Sequence, residues 1–125
     1  MAQKRTVTKI DILGVKYTVA KKKFEDDPYF KKQSCDGYCA EYMKAIVYCD
    51  MSTRPGWVDM TPEECAACEK ETLRHEIVHA FFNESGLSNS ASSISGPWAK
   101  FEELVDWIAI QGPKLYKAWE EAGAL

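Results

Sequence analysis

The sequence predicts an α+β fold. In it, a small three-stranded and mainly antiparallel sheet packs on one long helix, and a second principal helix and a short C-terminal helix follow. Two observations predict this: apolar and polar residues alternate in the N-terminal part, and apolar residues recur at helical spacing after the turn signals near residue 61. The chain has 125 residues, 46% of them hydrophobic, which is enough for one domain with its own core. We therefore expect a single domain over 1–125, β-rich over 6–50 and helical over 61–125.

The strands are predicted by period-two alternation. The segment "TVTKIDILGVKYTVAKKK" alternates on both sides of Gly14, which predicts a β-hairpin of strands 6–12 and 15–21. Residues 24–40 contain Asp-Pro and Asp-Gly turn signals and no sustained period, so we expect a loop or a broken helix there. The run "YMKAIVYCD" predicts a third strand over 44–50.

The long helix begins at a capping sequence. Thr61 can cap it, Pro62 suits the first helical position, and Glu64 completes a capping box. We expect the helix to run from Pro62 to about Asn83 and to end near Gly86, a usual αL stop.

Two further helices are expected after a segment rich in serine and glycine. Residues 85–96 are of low complexity, which indicates a mobile connection. Pro97 is expected to open the second principal helix, "PWAKFEELVDWIAIQ". Gly112 and Pro113 are expected to break it, so that "PKLYKAWEEAG" forms a short third helix.

The charge and hydropathy pattern argue against two classes of partner. The net charge of -3 gives no broad basic surface, so we expect no nucleic-acid partner. No apolar run reaches spanning length, and "MAQKRTVTKIDILG" lacks the apolar core of a signal peptide. We therefore expect a cytoplasmic protein with no membrane partner.

The stretch "LRHEIVHAFF" at 73–82 carries a candidate metal site. On a helix, His75 and His79 lie one turn apart and about 40° from each other around the axis, so both imidazoles can reach one ion. Glu76 is displaced to the side, where it can reach a water on that ion. The pattern predicts one zinc per chain with Glu76 as general base. The alternative is two histidines with ordinary hydrogen bonds on a shared face.

A third protein ligand is needed, and His75 and His79 are the only histidines of the chain. A carboxylate is therefore expected, and "FEELVDWIA" offers Glu102, Glu103 and Asp106. Helical periodicity predicts a buried stripe of five residues in this segment: Phe101, Leu104, Val105, Ile108 and Ala109.

Glu102 borders that stripe, whereas Glu103 projects about 100° further round, toward solvent. Glu102 is thus the better ligand and Glu103 the alternative. Asp106, one turn after Glu102, is placed to accept a hydrogen bond from a ligand histidine and so to fix its tautomer. The ordinary alternative for these acids is a solvated helix face.

These motifs resemble those of the gluzincins, in which His-Glu-x-x-His is followed by Glu-x-x-x-Asp on a later helix. "RHEIVHAFFNESGL" followed by "EELVDWIA" is similar in particular to the short zinc peptidases of phage and mobile-element genomes, near the ImmA/IrrE-like and minigluzincin groups. The resemblance implies a small sheet packed on the active-site helix, with zinc held by His75, His79 and Glu102. It also implies Glu76 as the base and a peptide or protein as the substrate.

The sequence departs from the wider gluzincin pattern in two ways. Phe101 stands where thermolysin-like enzymes often have asparagine before the third ligand, and no histidine remains to stabilise an oxyanion. Tyr48, Arg74 and Tyr116 are the candidates for that role, and a narrow specificity is expected.

The resulting hypothesis is a zinc metallopeptidase in which Glu76 takes a proton from water and passes it to the leaving amine. By analogy with proteins of this shape, the substrate adds as a strand to a sheet edge, for which 44–50 is the candidate. The main alternative is a weakly active or inactive protein-binding or regulatory module that zinc merely stabilises. A third possibility is hydrolysis of a non-peptide amide.

The five cysteines allow a second metal site. Cys35, Cys39, Cys65 and Cys68 could form a four-thiolate zinc centre. Small buried apolar residues are the preferred interpretation, because Cys-x-x-Cys inside a helix is not the usual turn-borne zinc motif. Cys49 is expected to face the core from the third strand.

Overall fold

The computed structural model describes residues 7–90 and 98–121 of the chain. Its strands form one sheet beside several helices, so the predicted α+β class is confirmed. The strands, in chain order, are β1 (Val7–Ile12), β2 (Val15–Lys23), β3 (Gly37–Ala40) and β4 (Ala45–Asp50). β1 and β2 form the predicted antiparallel hairpin, and β4 corresponds to the predicted third strand.

The sheet is larger and more mixed than the sequence predicted. Four strands are present instead of three, because β3 lies inside the segment 24–40 that was expected to be a loop or broken helix. That segment also contains helix α1 (Pro28–Lys32). A four-residue strand is too short to show clear alternation, and an Asp-Gly turn signal stands at its start. β3 and β4 are antiparallel, but β2 and β4 are parallel.

β4 is a central strand of the sheet. The spatial order is β1-β2-β4-β3, so the expectation that 44–50 forms the free edge is wrong. A strand with neighbours on both sides and cover on both faces has a nearly continuous apolar sequence, as "AIVYC" has. Ile46, Val47 and Cys49 are buried, which confirms the core position predicted for Cys49. The edges of the sheet are β1 and β3.

Helix α2 (Pro62–Glu84) begins as predicted. The Thr61 hydroxyl accepts a hydrogen bond from the amide of Glu64 at 3.1 Å, and the Glu64 carboxylate accepts one from the amide of Thr61 at 3.2 Å. The complete capping box is therefore present. Gly86, with a φ of 83°, follows the end of the helix.

Beyond α2, the described residues form two more α-helices. α3 (Leu87–Ser90) occupies the start of the segment that was expected to be a mobile connection. The remainder of that segment and Pro97, which was expected to open the next helix, lie outside the described residues. A single 3-10 turn precedes α4 (Glu102–Glu121). Within the described ranges, no helix combines the length and apolarity needed to cross a bilayer.

α4 runs through Gly112 and Pro113, so the predicted break and the separate third helix are wrong. A proline inside a helix cannot donate a hydrogen bond to the carbonyl four residues earlier, here that of Ala109. Arg74 of α2 donates its Nε–H to this carbonyl at 2.6 Å instead. A tertiary contact therefore satisfies the group that the proline leaves without a helical partner.

α2 is fixed to the sheet by apolar packing and by two carboxylates. The cluster between them contains five buried residues: Ile12, Tyr17, Val19, Ile46 and Ala80. Near the start of α2, Glu69 accepts hydrogen bonds from Lys21 at 2.8 Å and from the amide of Met51 at 2.9 Å. At its end, Glu84 accepts one from Tyr17 at 2.5 Å and one from Lys44 at 2.6 Å.

Glu84→Gln tests the attachment at the end of α2. Hydrogen bonds from Lys44 and Tyr17 hold the pKa of Glu84 below its usual value. The carboxylate therefore stabilises the fold above its unfolded-state pKa, and this contribution is lost as the pH falls through the lowered folded-state pKa. We expect the variant to unfold at a lower temperature at neutral pH, with a difference from wild type that shrinks below about pH 4.

Thermal unfolding followed by circular dichroism across that pH range measures the effect. Glu71→Gln removes an exposed carboxylate from the same helix and is the control. Equal losses in the two variants would contradict a specific role for Glu84.

β3 approaches α2 so closely that only glycine fits at residue 37. A Cβ added to Gly37 would lie 2.7 Å from Cγ2 of Thr72, 3.0 Å from the carbonyl oxygen of Val47 and 3.5 Å from Cγ of Glu76. The edge strand therefore passes directly over the turn of α2 that carries Glu76.

Gly37→Ala should force β3 and α2 apart, and we expect the free energy of unfolding to fall by about 1–3 kcal/mol. The nearest atom is a side-chain methyl, so Thr72→Ser, which removes that methyl, should recover part of the loss in the double variant. Chemical denaturation of the two single variants, the double variant and the wild type measures the coupling. Strictly additive losses would show that this contact is not the cause.

Candidate metal centre

α2 presents three potential metal ligands within one turn. His75, Glu76 and His79 offer ligand atoms that all lie within 4.8 Å of one another. The Nε2 atoms of the two imidazoles are 3.1 Å apart, as the four-residue spacing predicts. Oε1 of Glu76 lies 3.7 Å from Nε2 of His75. These three side chains form a group that could hold a metal ion.

α4 brings two carboxylates to the same place. Oε2 of Glu102 lies 2.8 Å from Nε2 of His75 and 3.4 Å from Nε2 of His79. Oδ1 of Asp106, one turn further along α4, lies 2.5 Å from Nδ1 of His75. Glu102 and Glu103, the alternative third ligand, are both exposed, but it is Glu102 that contacts both imidazoles. The predicted base, metal ligands and histidine partner thus converge.

The packing of α4 on α2 explains why Glu102 reaches the imidazoles although its side chain is 67% exposed. Val105 and Ala109, both in the predicted apolar stripe, are fully buried, while Leu104 and Ile108 are half-buried. Phe101 was expected to belong to the stripe but is 41% exposed, because the buried part begins one turn later. Glu102 lies at the border of the packed surface and can reach the imidazoles from it.

The geometry of this group fits zinc. Ligand atoms bound at 2.0–2.1 Å in a tetrahedral site are about 3.3 Å from one another. The separations of 2.8, 3.1 and 3.4 Å among the two Nε2 atoms and Oε2 of Glu102 are close to that value. Two imidazoles and one carboxylate form a donor set that zinc accepts.

Two features of the site suit imidazoles that bind a metal through Nε2. Burial lowers the pKa of His79, against the opposing charge of Glu102, so its ring is favoured in the neutral state. Nδ1 of His75 lies 2.5 Å from Oδ1 of Asp106, and a proton on that nitrogen, donated to Asp106, would leave the lone pair on Nε2 for a metal. Both rings therefore present Nε2 toward the carboxylate of Glu102.

Glu76 is a buried carboxylate beside this group, with 6% of its surface exposed. Burial raises its pKa to about 7; the nearby imidazole of His75 acts in the opposite direction, and the carboxylates of Glu102 and Asp106 add to the rise. A carboxyl group with such a pKa can accept and release a proton near neutral pH.

His75, Glu76, His79 and Glu102 open into a groove of about 1190 Å³. Edge strand β3, helix α2 and the start of α4 all contribute to its lining. The main chain of β3 contributes hydrogen-bonding groups to this groove, one of which, on Gly37, also contacts the thiol of Cys35. The amide of Cys49 donates to the carbonyl of Asp36, so Asp36 and Cys49 form a hydrogen-bonded pair of the antiparallel ladder. Because such pairs alternate in an antiparallel ladder, the main-chain groups of Gly37 and Cys39 point away from β4.

Two parts of the groove were not found from the sequence. β3 was missed because its segment carries turn signals. Ser88, on α3, lines the groove and is 1% exposed, and its hydroxyl has no hydrogen-bond partner among the described residues. Its position in a serine-rich segment gave no signal that one of these serines would be buried.

The three residues proposed to stabilise an oxyanion do not converge on the site. Arg74 contacts the carbonyl of Ala109. Tyr48 packs against the apolar cluster between sheet and α2, and Tyr116 is 56% exposed on α4. Neither tyrosine lines the groove.

The cysteines do not form a metal site in the described part of the chain. All five are free, and none belongs to a group of close metal-ligating side chains there. Burial raises the pKa of Cys39 to about 12 and shifts those of Cys35 and Cys68 in the same direction, which favours neutral thiols. Cys65 is buried and packs with Cys68 in the apolar cluster around Phe30, as the preferred interpretation expected.

Comparison of this chain with models of known protein families, with curated proteins and with solved structures finds no match. The geometry of the groove and of the residues that line it is therefore the basis for assigning a function.

Proposed function

We propose that this protein is a zinc-dependent metallopeptidase, with His75, His79 and Glu102 as the zinc ligands and Glu76 as the general base. One observation carries the proposal: two Nε2 atoms and one carboxylate oxygen lie within 3.4 Å of one another, beside a buried carboxylate, in an open groove.

The residues of the site have distinct roles in this proposal. Zinc, when bound, polarises the substrate carbonyl and lowers the pKa of a water to about 7. Glu76 accepts the proton of the attacking water and returns it to the leaving amine, and its position beside Nε2 of His75 suits both transfers. Asp106 keeps His75 in the tautomer that binds through Nε2.

β3 replaces 44–50 as the strand on which an extended substrate lies. The outward main-chain groups of Gly37 and Cys39 can pair with a peptide backbone, as an added strand does at a sheet edge. The close approach of Gly37 to α2 supports this, because a peptide paired there has its backbone beside Glu76. The unpartnered hydroxyl of Ser88 offers a further hydrogen bond to a polar group in the groove.

Glu76→Gln is the direct test of this mechanism. We expect one zinc per chain in the wild type and in the variant, because Glu76 is not a ligand. We also expect kcat/KM for a cleaved peptide to fall about 10²–10⁴-fold, because the proton acceptor is lost. Metal analysis of purified protein and a fluorogenic peptide library provide the two readouts.

Glu102→Gln and Glu103→Gln form a matched pair of controls. The first should weaken zinc binding, since it removes a charged ligand, and the second should leave both readouts unchanged. Cleavage by Glu76→Gln at the wild-type rate would exclude Glu76 from the mechanism. Zinc binding with no cleavage of any peptide would favour the alternative of a zinc-stabilised protein-binding module.

The charge of the groove indicates a preference for basic substrates. Apart from the metal-centre residues, it is lined by four carboxylates: Asp36, Glu41, Glu64 and Glu71. Asp36 is neutralised by Arg54 at 2.9 Å, and Lys100 is the cation that lines the groove among the described residues. An excess of negative charge favours lysine and arginine side chains near the scissile bond.

Glu71→Lys should therefore lower kcat/KM for a peptide with lysines beside the cleaved bond by about tenfold and raise it for the same peptide with glutamates. Glu63→Lys makes the same charge change on α2 at a residue that does not line the groove. Steady-state kinetics at low salt measures the difference between the two variants. Identical behaviour of both would show that groove charge does not select the substrate.

A further inference from the structure

We infer that Arg74 is a positioning residue that fixes α4, and with it Glu102 and Asp106, against the imidazoles of α2. This inference rests on the proposed metal centre but not on peptide cleavage. Arg74 directly precedes His75 in the chain, and its Nε–H donates to the carbonyl of Ala109 at 2.6 Å. Arg74 does not line the groove, so it acts on the site through α4.

Pro113 makes the carbonyl of Ala109 available. In a regular helix this oxygen would accept from the N–H of residue 113, but proline has none. A buried carbonyl without a partner is unfavourable, and Ala109 is 1% exposed. The guanidinium of Arg74 thus donates to the carbonyl of Ala109, an acceptor that has no N–H partner at residue 113 of α4. The bond is made at one defined point along that helix.

A directional bond at this point determines how α4 sits along α2. The apolar contacts of Val105 and Ala109 favour close packing, but apolar packing is not directional. A slip of one residue would shift α4 by 1.5 Å and turn its side chains by about 100°, which would carry Glu102 away from the imidazoles. The bond joins the neighbour of His75 to a residue three positions after Asp106, so it opposes both movements.

Two substitutions separate positioning from simple repair of the helix. Arg74→Met keeps the length of the side chain and removes the donor. Pro113→Ala restores a backbone N–H that can donate to the carbonyl of Ala109. This substitution is made both alone and together with Arg74→Met. Lys70→Met, on an exposed residue of α2, removes the same charge without the contact and is the control.

The readouts are zinc affinity by competition with a chromophoric chelator, the visible spectrum of the Co²⁺-substituted protein, and the unfolding temperature of the metal-free protein. We expect Arg74→Met to bind zinc at least tenfold more weakly, to change the Co²⁺ spectrum and to unfold at a lower temperature. Pro113→Ala alone should bind zinc within about twofold of wild type, because the contact remains.

The double variant decides the question. If Arg74 positions α4, adding Pro113→Ala restores the unfolding temperature but not the zinc affinity. Recovery of both the unfolding temperature and the zinc affinity would show that Arg74 only satisfies the carbonyl of Ala109. Equal zinc affinities of Arg74→Met and Lys70→Met would show that Arg74 has no effect beyond its charge. Either result overturns the inference. Wild-type protein that binds zinc but cleaves no peptide would instead contradict the proposed function alone.

Discussion

The structure depends on α2 being held from two sides at once. The sheet contacts it through an apolar cluster, through Glu69 in its first half and through Glu84 at its end, and α4 packs on it elsewhere. Its apolar residues are accordingly spread around the helix and do not form a single stripe. His75 and His79 lie between these contacts, on a backbone that cannot rotate without breaking one of them. The spacing of two histidines on a helix thus becomes a fixed distance between two nitrogen atoms.

The concentration of charge at this place is costly for the fold in the absence of a cation. Three carboxylates, Glu76, Glu102 and Asp106, surround imidazoles of which one is favoured in the neutral form. Burial raises the pKa of Glu76, and repulsion from the carboxylates of Glu102 and Asp106 adds to the rise, against the opposing effect of His75. A divalent ion between Nε2 atoms and a carboxylate oxygen offsets this repulsion directly, so binding should stabilise the folded chain as well as equip the site. The same cluster without a metal has no evident structural advantage over apolar packing.

The parts of the structure that local rules determine could be predicted from the sequence. The capping box at Thr61 and Glu64, the hairpin around Gly14 and the shared face of the two histidines each involve residues a few positions apart. Glu102 was predicted as the third ligand by the same reasoning, because helical periodicity places it beside an apolar stripe without information on what that stripe packs against. The Phe101 error shows the limit of this reasoning, since periodicity identifies a face but not where its buried part begins.

The parts that were not predicted depend on contacts between distant segments. β4 inserts between β2 and β3, and no local pattern specifies which strand of a sheet stays at its edge. Pro113 is a local signal for the end of a helix, whereas the contact that satisfies the carbonyl it leaves without a helical partner comes from Arg74, 39 residues earlier. β3 forms a wall of the groove, and Arg74 contacts α4. The geometry of the site therefore cannot be predicted from local patterns, although its chemistry is evident in a ten-residue motif. Glu76 belongs to the ten-residue motif, but distant segments form its surroundings. α4 brings Glu102 and Asp106 to one side of it, and Gly37 of β3 lies against the other. A change in either contact therefore alters the surroundings of the proposed base without changing the motif.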